Sequence, residues 1–358
     1  MLIFPCQYKE LYRRLHQGVS GIGDHGVAGV RNGPGKTVLL RADMNALPVR
    51  EQTGLPYASQ KTMKGKDSNL QLVMHACGHD MQVAMLLACS SLSSGRSVWS
   101  DGLICLSQLR EEASDGAQAM IDDGMKAGAV ALASGPVLTT ADFLSVRIPG
   151  IGGHSSTPQD CVDLSELDPI VLASHIVVRL QTIVSREVGP KQFGLITCGS
   201  LHAGRGIGNV IPDHAETKIN VRAYLPEVKD KMLKAVERVV NAGCEVLATL
   251  MIPEINTFIS TPPTIIDGRL VEILRSAFEP FFKEKLITTE HGSASEDFVN
   301  LAMSKIPYAY WWIGCDAVDS PRKMLGNHSP FFAPAVEPTI CTGLDAFAIA
   351  VFRILEKR

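Results

Sequence analysis

The sequence has no excess of positive charge: 34 Lys and Arg against 37 Asp and Glu leave a formal net charge of −3, with an isoelectric point near 6.4. Such a chain offers no basic face for nucleic acid, and without a long run of Lys or Arg it has nothing to hold an anionic membrane. Residues 1–10 lack the basic stretch and sustained apolar core of a secretory leader, and no apolar run is long enough to span a bilayer. A soluble, cytoplasmic protein is expected. A disulfide framework is missing too: nine cysteines are an odd number, and they are scattered, so most read as buried free thiols. Dense Cys/His tracts that would store soft metals are absent, as are repeats and low-complexity segments. What remains is an enzyme-sized chain of 358 residues, 46% of them apolar, which suits two domains and small-molecule or peptide partners.

Hydrophobic patterning gives the organisation. Residues 37–41 and 102–107 read as buried strands, and 81–90 and 115–122 as helices, an alternation that implies an α/β sheet with crossover helices. From about Ala141 the order becomes strand (143–148), helix (168–186), strand (193–201), strand (216–224), helix (227–243), strand (245–252). This βαββαβ order predicts a small split-βαβ domain inserted in the first. Beyond Thr261-Pro262-Pro263 the chain returns to a helix (268–282), short strands (286–289 and 308–313) and a closing helix (342–355).

Four segments concentrate acid, base and metal-liganding groups in loops after apolar strands, where an α/β sheet places its chemistry. In Cys77-Gly78-His79-Asp80 a thiolate and an imidazole two residues apart can converge on one cation; taken alone, Cys77 is equally readable as a small buried hydrophobe. Glu111-Glu112 follows a strand, so one carboxylate can bind metal while the other activates water, although paired acids at a helix start are more often a solvated face. At Gly152-Gly153-His154 the glycines permit close backbone approach to a ligand, and the histidine can stabilise an oxyanion. The fourth segment is Asn327-His328-Ser329-Pro330, whose histidine can complete a metal shell.

Taken together and in order, these segments resemble the aminoacylase-type metallopeptidases, in the branch of hippurate hydrolases and auxin-conjugate amidohydrolases. The likeness extends to Arg41-Ala42-Asp43-Met44-Asn45-Ala46-Leu47-Pro48, Gly116-Ala117, Asn209-Val210-Ile211-Pro212-Asp213 and Ser295-Glu296-Asp297-Phe298. It implies a zinc-peptidase-like α/β/α catalytic domain, residues 1–141 and 259–358, interrupted by a ferredoxin-like α+β lid, residues 142–258, through which homodimers form. It implies zinc or manganese, two per chain in the family, with Cys77, His79, Glu112 and His328 as ligands and Glu111 as general base on a metal-bound water. His154, Asn209 and Arg222 would hold the substrate, a small N-acyl amino acid or peptide, and Asp43 and Asn45 would stand behind the ligands. An arginine on a strand is also readable as a plain surface ion pair.

The sequence departs from that family at definite places. No histidine lies between Glu112 and His154, where the family carries a further ligand in a Gly-x-His strand end, and the helix and strand expected between Gln17 and Gly21 are missing. Asn45 replaces an Asp, Gln82 a His, and Leu109-Arg110 a Pro-Ala pair. These changes predict fewer than two metals per chain, and they set beside the amidohydrolase a second reading: an impaired homologue with a binding or scaffold role.

Overall fold

The structure, a computed structural model, describes residues 17–22, 26–31, 35–64, 68–94, 102–108, 130–159, 168–204, 206–246, 252–289, 291–302, 306–316 and 325–355. The chain divides into two compact units: Met1–Gly135, Ile266–Gly292 and Asn300–Arg358 form the first, Pro136–Ile265 with Ser293–Val299 the second. The second unit is wider than the insert expected from sequence at both ends. It also takes in Ser293–Val299, a segment the sequence pattern assigns to the catalytic domain.

The first unit opens with a hairpin, β1 (Gln17–Ile22) and β2 (Gly26–Arg31), then β3 (Thr37–Asp43), a small hairpin of β4 (Thr62–Lys64) and β5 (Leu70–Leu72), helix α1 (His79–Ser94), β6 (Gly102–Gln108) and β7 (Val130–Leu132). One sheet has the order β1-β2-β6-β3, with β3 and β6 parallel. A parallel pair needs a crossover, and α1 lies on that connection. Its Val83, Leu86, Leu87 and Cys89 join one core with Leu40 and Ala42 of β3 and Leu103 and Cys105 of β6. Burial pushes the Cys89 and Cys105 thiols up to about 12, so both stay protonated and pack as small apolar groups. The β1–β2 hairpin escapes the sequence pattern because Gly18, Gly21, Gly26 and Gly29 interrupt its alternation.

The second unit runs β8 (Gly135–Leu138), β9 (Ala141–Pro149), β10 (Gly153–His154), α2 (Pro169–Glu187), β11 (Gly194–Ala203), β12 (Val210–Ile211), β13 (His214–Ala223), α3 (Pro226–Val246), β14 (Glu254–Thr261) and β15 (Thr264–Ile266). Its main sheet has the order β11-β13-β9-β14, antiparallel throughout, which is the ferredoxin-like arrangement of a βαββαβ chain. Asp168 caps α2 by accepting from the Ile170 amide at 2.8 Å, and Pro169 suits the first turn because its missing N–H would have no helical partner. Alternate residues Leu144, Val146 and Ile148 of β9 point toward Leu172, Ile176, Leu180 and Ile183 of α2 and Val236 and Val240 of α3. The last strand is displaced from its expected position at 245–252: α3 continues to Val246 and the strand begins at Glu254. β14 is an edge strand with mostly exposed residues, so the apolar run before it gave the stronger signal.

Asp142, at the start of β9, is buried, accepts from Ser260 Oγ at 2.6 Å and lies 3.9 Å from Lys229 Nζ. Desolvation raises its pKa, outweighing the opposing help of Ser260 and Lys229. An acid whose folded pKa is raised binds more protons when native, so its contribution to stability falls as pH rises from the unfolded carboxylate value through the folded one. Asp142→Asn keeps an acceptor for Ser260 and removes the buried charge. It is expected to raise the melting temperature at pH 7, with the gain shrinking toward pH 4 in scanning calorimetry; a gain that is the same at both pH values would contradict this account.

The chain returns to the first unit with α4 (Gly268–Phe282), capped by Asp267 on the Leu270 amide, then β16 (Leu286–Thr288), β17 (Trp311–Ile313) and α5 (Thr339–Leu355). β16 pairs parallel and β17 antiparallel with β7. Val351 and Leu355 of α5 enter the core that α1 shares with β3 and β6. Among the described residues no helix is long and apolar enough to cross a membrane.

Candidate active site

β3 ends at Asp43, whose Cα partner at the end of the parallel β6 is Gln108. The carboxyl ends of two adjacent parallel strands therefore open toward the same edge, the place where α/β sheets carry ligands. Asp43 is buried and heavily used: its carboxylate takes Arg41 Nη2 at 3.0 Å and the Asn45 backbone N–H at 2.7 Å, and it lies 3.5 Å from His79 Nδ1. The Asn45 carbonyl is the second group facing His79 Nδ1, at 3.4 Å. Both neighbours are acceptors, the kind of partner that orients a metal-ligating histidine through its other ring nitrogen.

The Asn45 carbonyl also accepts from His75 Nδ1 at 2.6 Å, and burial lowers the pKa of that imidazole, against the opposing pull of Asp80. Asn45 thus organises the histidines through its backbone. That explains why an Asp-to-Asn exchange leaves this part of the arrangement standing, whereas the sequence expectation assigned the orienting role to its side chain. Gln82, the other exchanged residue, accepts from the Asp43 backbone N–H at 3.3 Å and so steadies the strand end. Arg41, His75 and Gln82 were not among the expected site residues. The signal for Arg41 was present, a charged residue two positions before Asp43 in an otherwise apolar strand.

Cys77 and His79 flank Gly78, whose φ of +75° is a conformation L side chains rarely adopt and whose missing Cβ would sit 3.6 Å from the Phe332 ring. The loop that brings His328 is bound to this turn: His328 N–H donates to the Ala76 carbonyl at 2.8 Å, and Asn327 Nδ2 donates to Cys77 Sγ at 2.9 Å. Phe332 packs with Met74 and Ala76, and Gln52 N–H donates to the Pro330 carbonyl at 2.7 Å. His328 itself has φ +67°, left-handed for a residue with a side chain, a conformation that persists where surrounding contacts enforce it. The Cys77 and His328 segments, far apart in sequence, are thus clasped together beside His79.

In the second unit, β10 and β12 pair His154 with Val210, and Ser155 N–H donates to the Asn209 carbonyl at 3.2 Å, so His154 and Asn209 share one corner. His154 Nδ1 accepts from the Ser156 backbone N–H at 3.2 Å, with Ser156 Oγ at 2.7 Å. That places the ring proton on Nε2, facing away as a donor. Arg222 is buried, not a surface ion pair; its Nε donates to Asn220 Oδ1 at 2.6 Å and its Nη1 to the Ser293 carbonyl at 3.1 Å. One of its donors thus holds the Ser293–Val299 segment. Glu111 and Glu112, with the helix expected at 115–122, lie outside the described residues. Among the described residues, no three His, Cys, Asp or Glu side chains come close enough to hold an ion, so Cys77, His79 and His328 do not by themselves form a metal cage.

An α/β unit with buttressed thiol and imidazole groups in one turn, interrupted by a ferredoxin-like insert, is an architecture suited to a hydrolase site. Residues 39–352 match peptidase family M20/M25/M40, and the chain belongs to that family. It is 34% identical over 315 residues to the hippurate hydrolase of Campylobacter jejuni, covering 81% of this chain and 77% of that protein. It is 33% identical over 310 residues to the N-acetyl-L-cysteine deacetylase of Bacillus subtilis, covering 81% and 69%. Among solved structures, one described as an aminohydrolase from methicillin-resistant Staphylococcus aureus superposes with a TM-score of 0.77 at 27% identity, covering 98% of this chain and 91% of that one. A dinuclear metal binding peptidase of the M20 family from Bacillus subtilis gives 0.72 at 22% identity, covering 98% and 93%. The chain is a hydrolase of the amidohydrolase class, and use of a divalent metal goes with the family.

Proposed function

We propose that this protein hydrolyses the amide bond of small N-acyl amino acids, with zinc or manganese held by Cys77, His79, Glu112 and His328. The observation that carries the reading is the buttressing of His79 beside Cys77: a buried, arginine-paired Asp43 and the Asn45 carbonyl both face its Nδ1. A thiolate with imidazoles suits zinc and similar ions. A bound cation would supply Lewis acidity for attack on the scissile carbonyl. Glu111 would take the proton from the attacking water and return it to the departing amine. His154 offers its Nε2–H to the oxyanion, and Asn209 and Arg222 offer amide and guanidinium groups to the substrate carbonyl or carboxylate. The second unit serves as lid and as the surface through which two copies pair.

The absence of any histidine between Glu112 and His154 supports fewer than two tightly held ions per chain. The same gap sustains the second reading, a binding protein that keeps the groove without the chemistry. Both are tested by stripping the protein of metal, adding back zinc or manganese, and following hydrolysis of hippurate and N-acetylcysteine. Metal-dependent hydrolysis with fewer than two ions retained after dialysis is the expected result. Retained metal without hydrolysis of either probe would favour the binding role, and two stoichiometric ions would show that a further ligand replaces the missing histidine.

A further inference from the structure

The contact between Asn327 and Cys77 is not explained by holding the loop, because the loop is already held. The His328 N–H, the Phe332 ring and the Gln52 N–H each tie the 326–332 segment to the first unit independently of the Asn327 side chain. What the Asn327 amide adds is a donor aimed at one atom, Cys77 Sγ, at 2.9 Å. We propose that Asn327 is a positioning residue for the metal centre: its side-chain amide fixes the direction of the Cys77 sulfur, and its peptide bond to His328 ties that sulfur to a second ligand. The inference rests on the metal-centre reading above.

A cysteine side chain has one rotatable bond between backbone and sulfur and so three staggered positions, of which the Asn327 contact favours one. A hydrogen bond made beforehand lowers the cost of ordering the ligand, as outer partners of metal ligands generally do. The sulfur can accept one hydrogen bond and still present lone pairs to a cation, whereas the amide has no acceptor role toward a thiolate. The strained φ of His328 fits the same design. The dipeptide Asn327-His328 faces Ala76-Cys77, with the His328 amide on the Ala76 carbonyl and the Asn327 side chain on the sulfur. One dipeptide therefore supplies a ligand and aims its neighbour. An Asp at this position would set a carboxylate against the thiolate, and a Leu would keep the volume without the donor.

The test uses the full-length, metal-stripped protein, with zinc affinity read by competition against a chromophoric chelator and the cobalt-loaded form read by its thiolate-to-cobalt charge-transfer band. Asn327→Leu is expected to weaken zinc binding by about 10- to 100-fold and to diminish or shift the band, the usual cost of losing an outer partner. Asn327→Asp is expected to weaken binding further. In a Cys77→Ala background the Asn327→Leu effect should shrink to less than about twofold, because the two changes then share one pathway. Circular dichroism of the stripped variants checks folding, and Asn327→Ser, which is smaller, carries the same comparison if the leucine variant does not fold. Full zinc affinity with an unchanged band in Asn327→Leu would overturn the proposal while leaving the metal centre intact. Equal loss with and without Cys77 would also overturn it, by showing that Asn327 acts on the loop. A parent protein that binds neither zinc nor cobalt would remove the metal centre itself, and this role with it.

Discussion

Asp43→Ala is expected to destabilise the first unit by about 3–5 kcal/mol, the range seen when one partner of a buried ion pair is removed. The carboxylate is 1% exposed and the Arg41 side chain 9%, so the pair at 3.0 Å is almost out of water. Taking away the acid strips Arg41 of this counter-charge, leaves the Asn45 N–H without its 2.7 Å acceptor, and releases His79 from one of its two Nδ1 partners. The cost should come from the stranded charge and polar groups rather than from lost packing. Arg41→Met combined with Asp43→Leu should therefore cost less than Asp43→Ala alone, because no buried charge remains to be desolvated. None of the three tryptophans of the sequence, Trp99, Trp311 and Trp312, falls in residues 136–265 or 293–299 of the second unit, so urea unfolding followed by tryptophan fluorescence does not report on the insert. If the double variant proves the less stable of the two, the pair is a net stabiliser and the desolvation argument fails.

The parts of this molecule that were legible in the sequence are those where one physical signal dominates. The α4 helix was read at its full extent because Val271, Leu274, Phe278 and Phe282 recur at helical spacing on its buried side, a signal that holds in spite of Pro280 inside the helix. The βαββαβ insert was legible because long alternating strands and amphipathic helices follow one another without interruption, even though the position of the last strand was not. At Glu254–Thr261 the strand lies at the sheet edge and buries little, so backbone pairing with β9 defines it while side-chain hydrophobicity does not. The Ser293–Val299 segment shows a different limit. Its place in the second unit depends on backbone carbonyls, Ser293 taking Arg222 and Thr139, and Ala294 taking Thr139, and carbonyls leave no mark on residue type.

The site divides in the same way. Cys77, His79 and His328 stood out as candidates because few residue types ligate metals, and the motifs that carry them are distinctive in combination. The residues in contact with these segments did not stand out, since Asn45 meets His79 through its backbone, Gln82 meets Asp43 through a single amide oxygen, and Asn327 meets Cys77 across segments remote in sequence. An Asn beside His-Ser-Pro reads as ordinary loop chemistry until the two segments are brought together.

The remaining prediction separates the two adjacent acids, Glu111 and Glu112. Glu111→Gln is expected to lower the turnover of an N-acyl amino acid by about 100-fold or more, the usual contribution of a positioned general base, while metal content stays at the parental level. Glutamine is nearly isosteric with glutamate and can still hydrogen-bond a water, but it cannot take the proton that leaves as the water attacks. The loss should thus fall on kcat with little change in KM, because substrate binding does not require the base. Glu112→Gln should do the opposite in its first effect. A neutral amide is a poor replacement for an anionic oxygen ligand, so retained metal should drop, and activity should recover in part when zinc or manganese is supplied in excess. Measuring metal by elemental analysis on the same samples used for kinetics keeps the two outcomes apart. A Glu111→Gln variant that turns over at the parental rate would place the base elsewhere. Loss of metal from that variant, with Glu112→Gln fully loaded and inactive, would reverse the two roles.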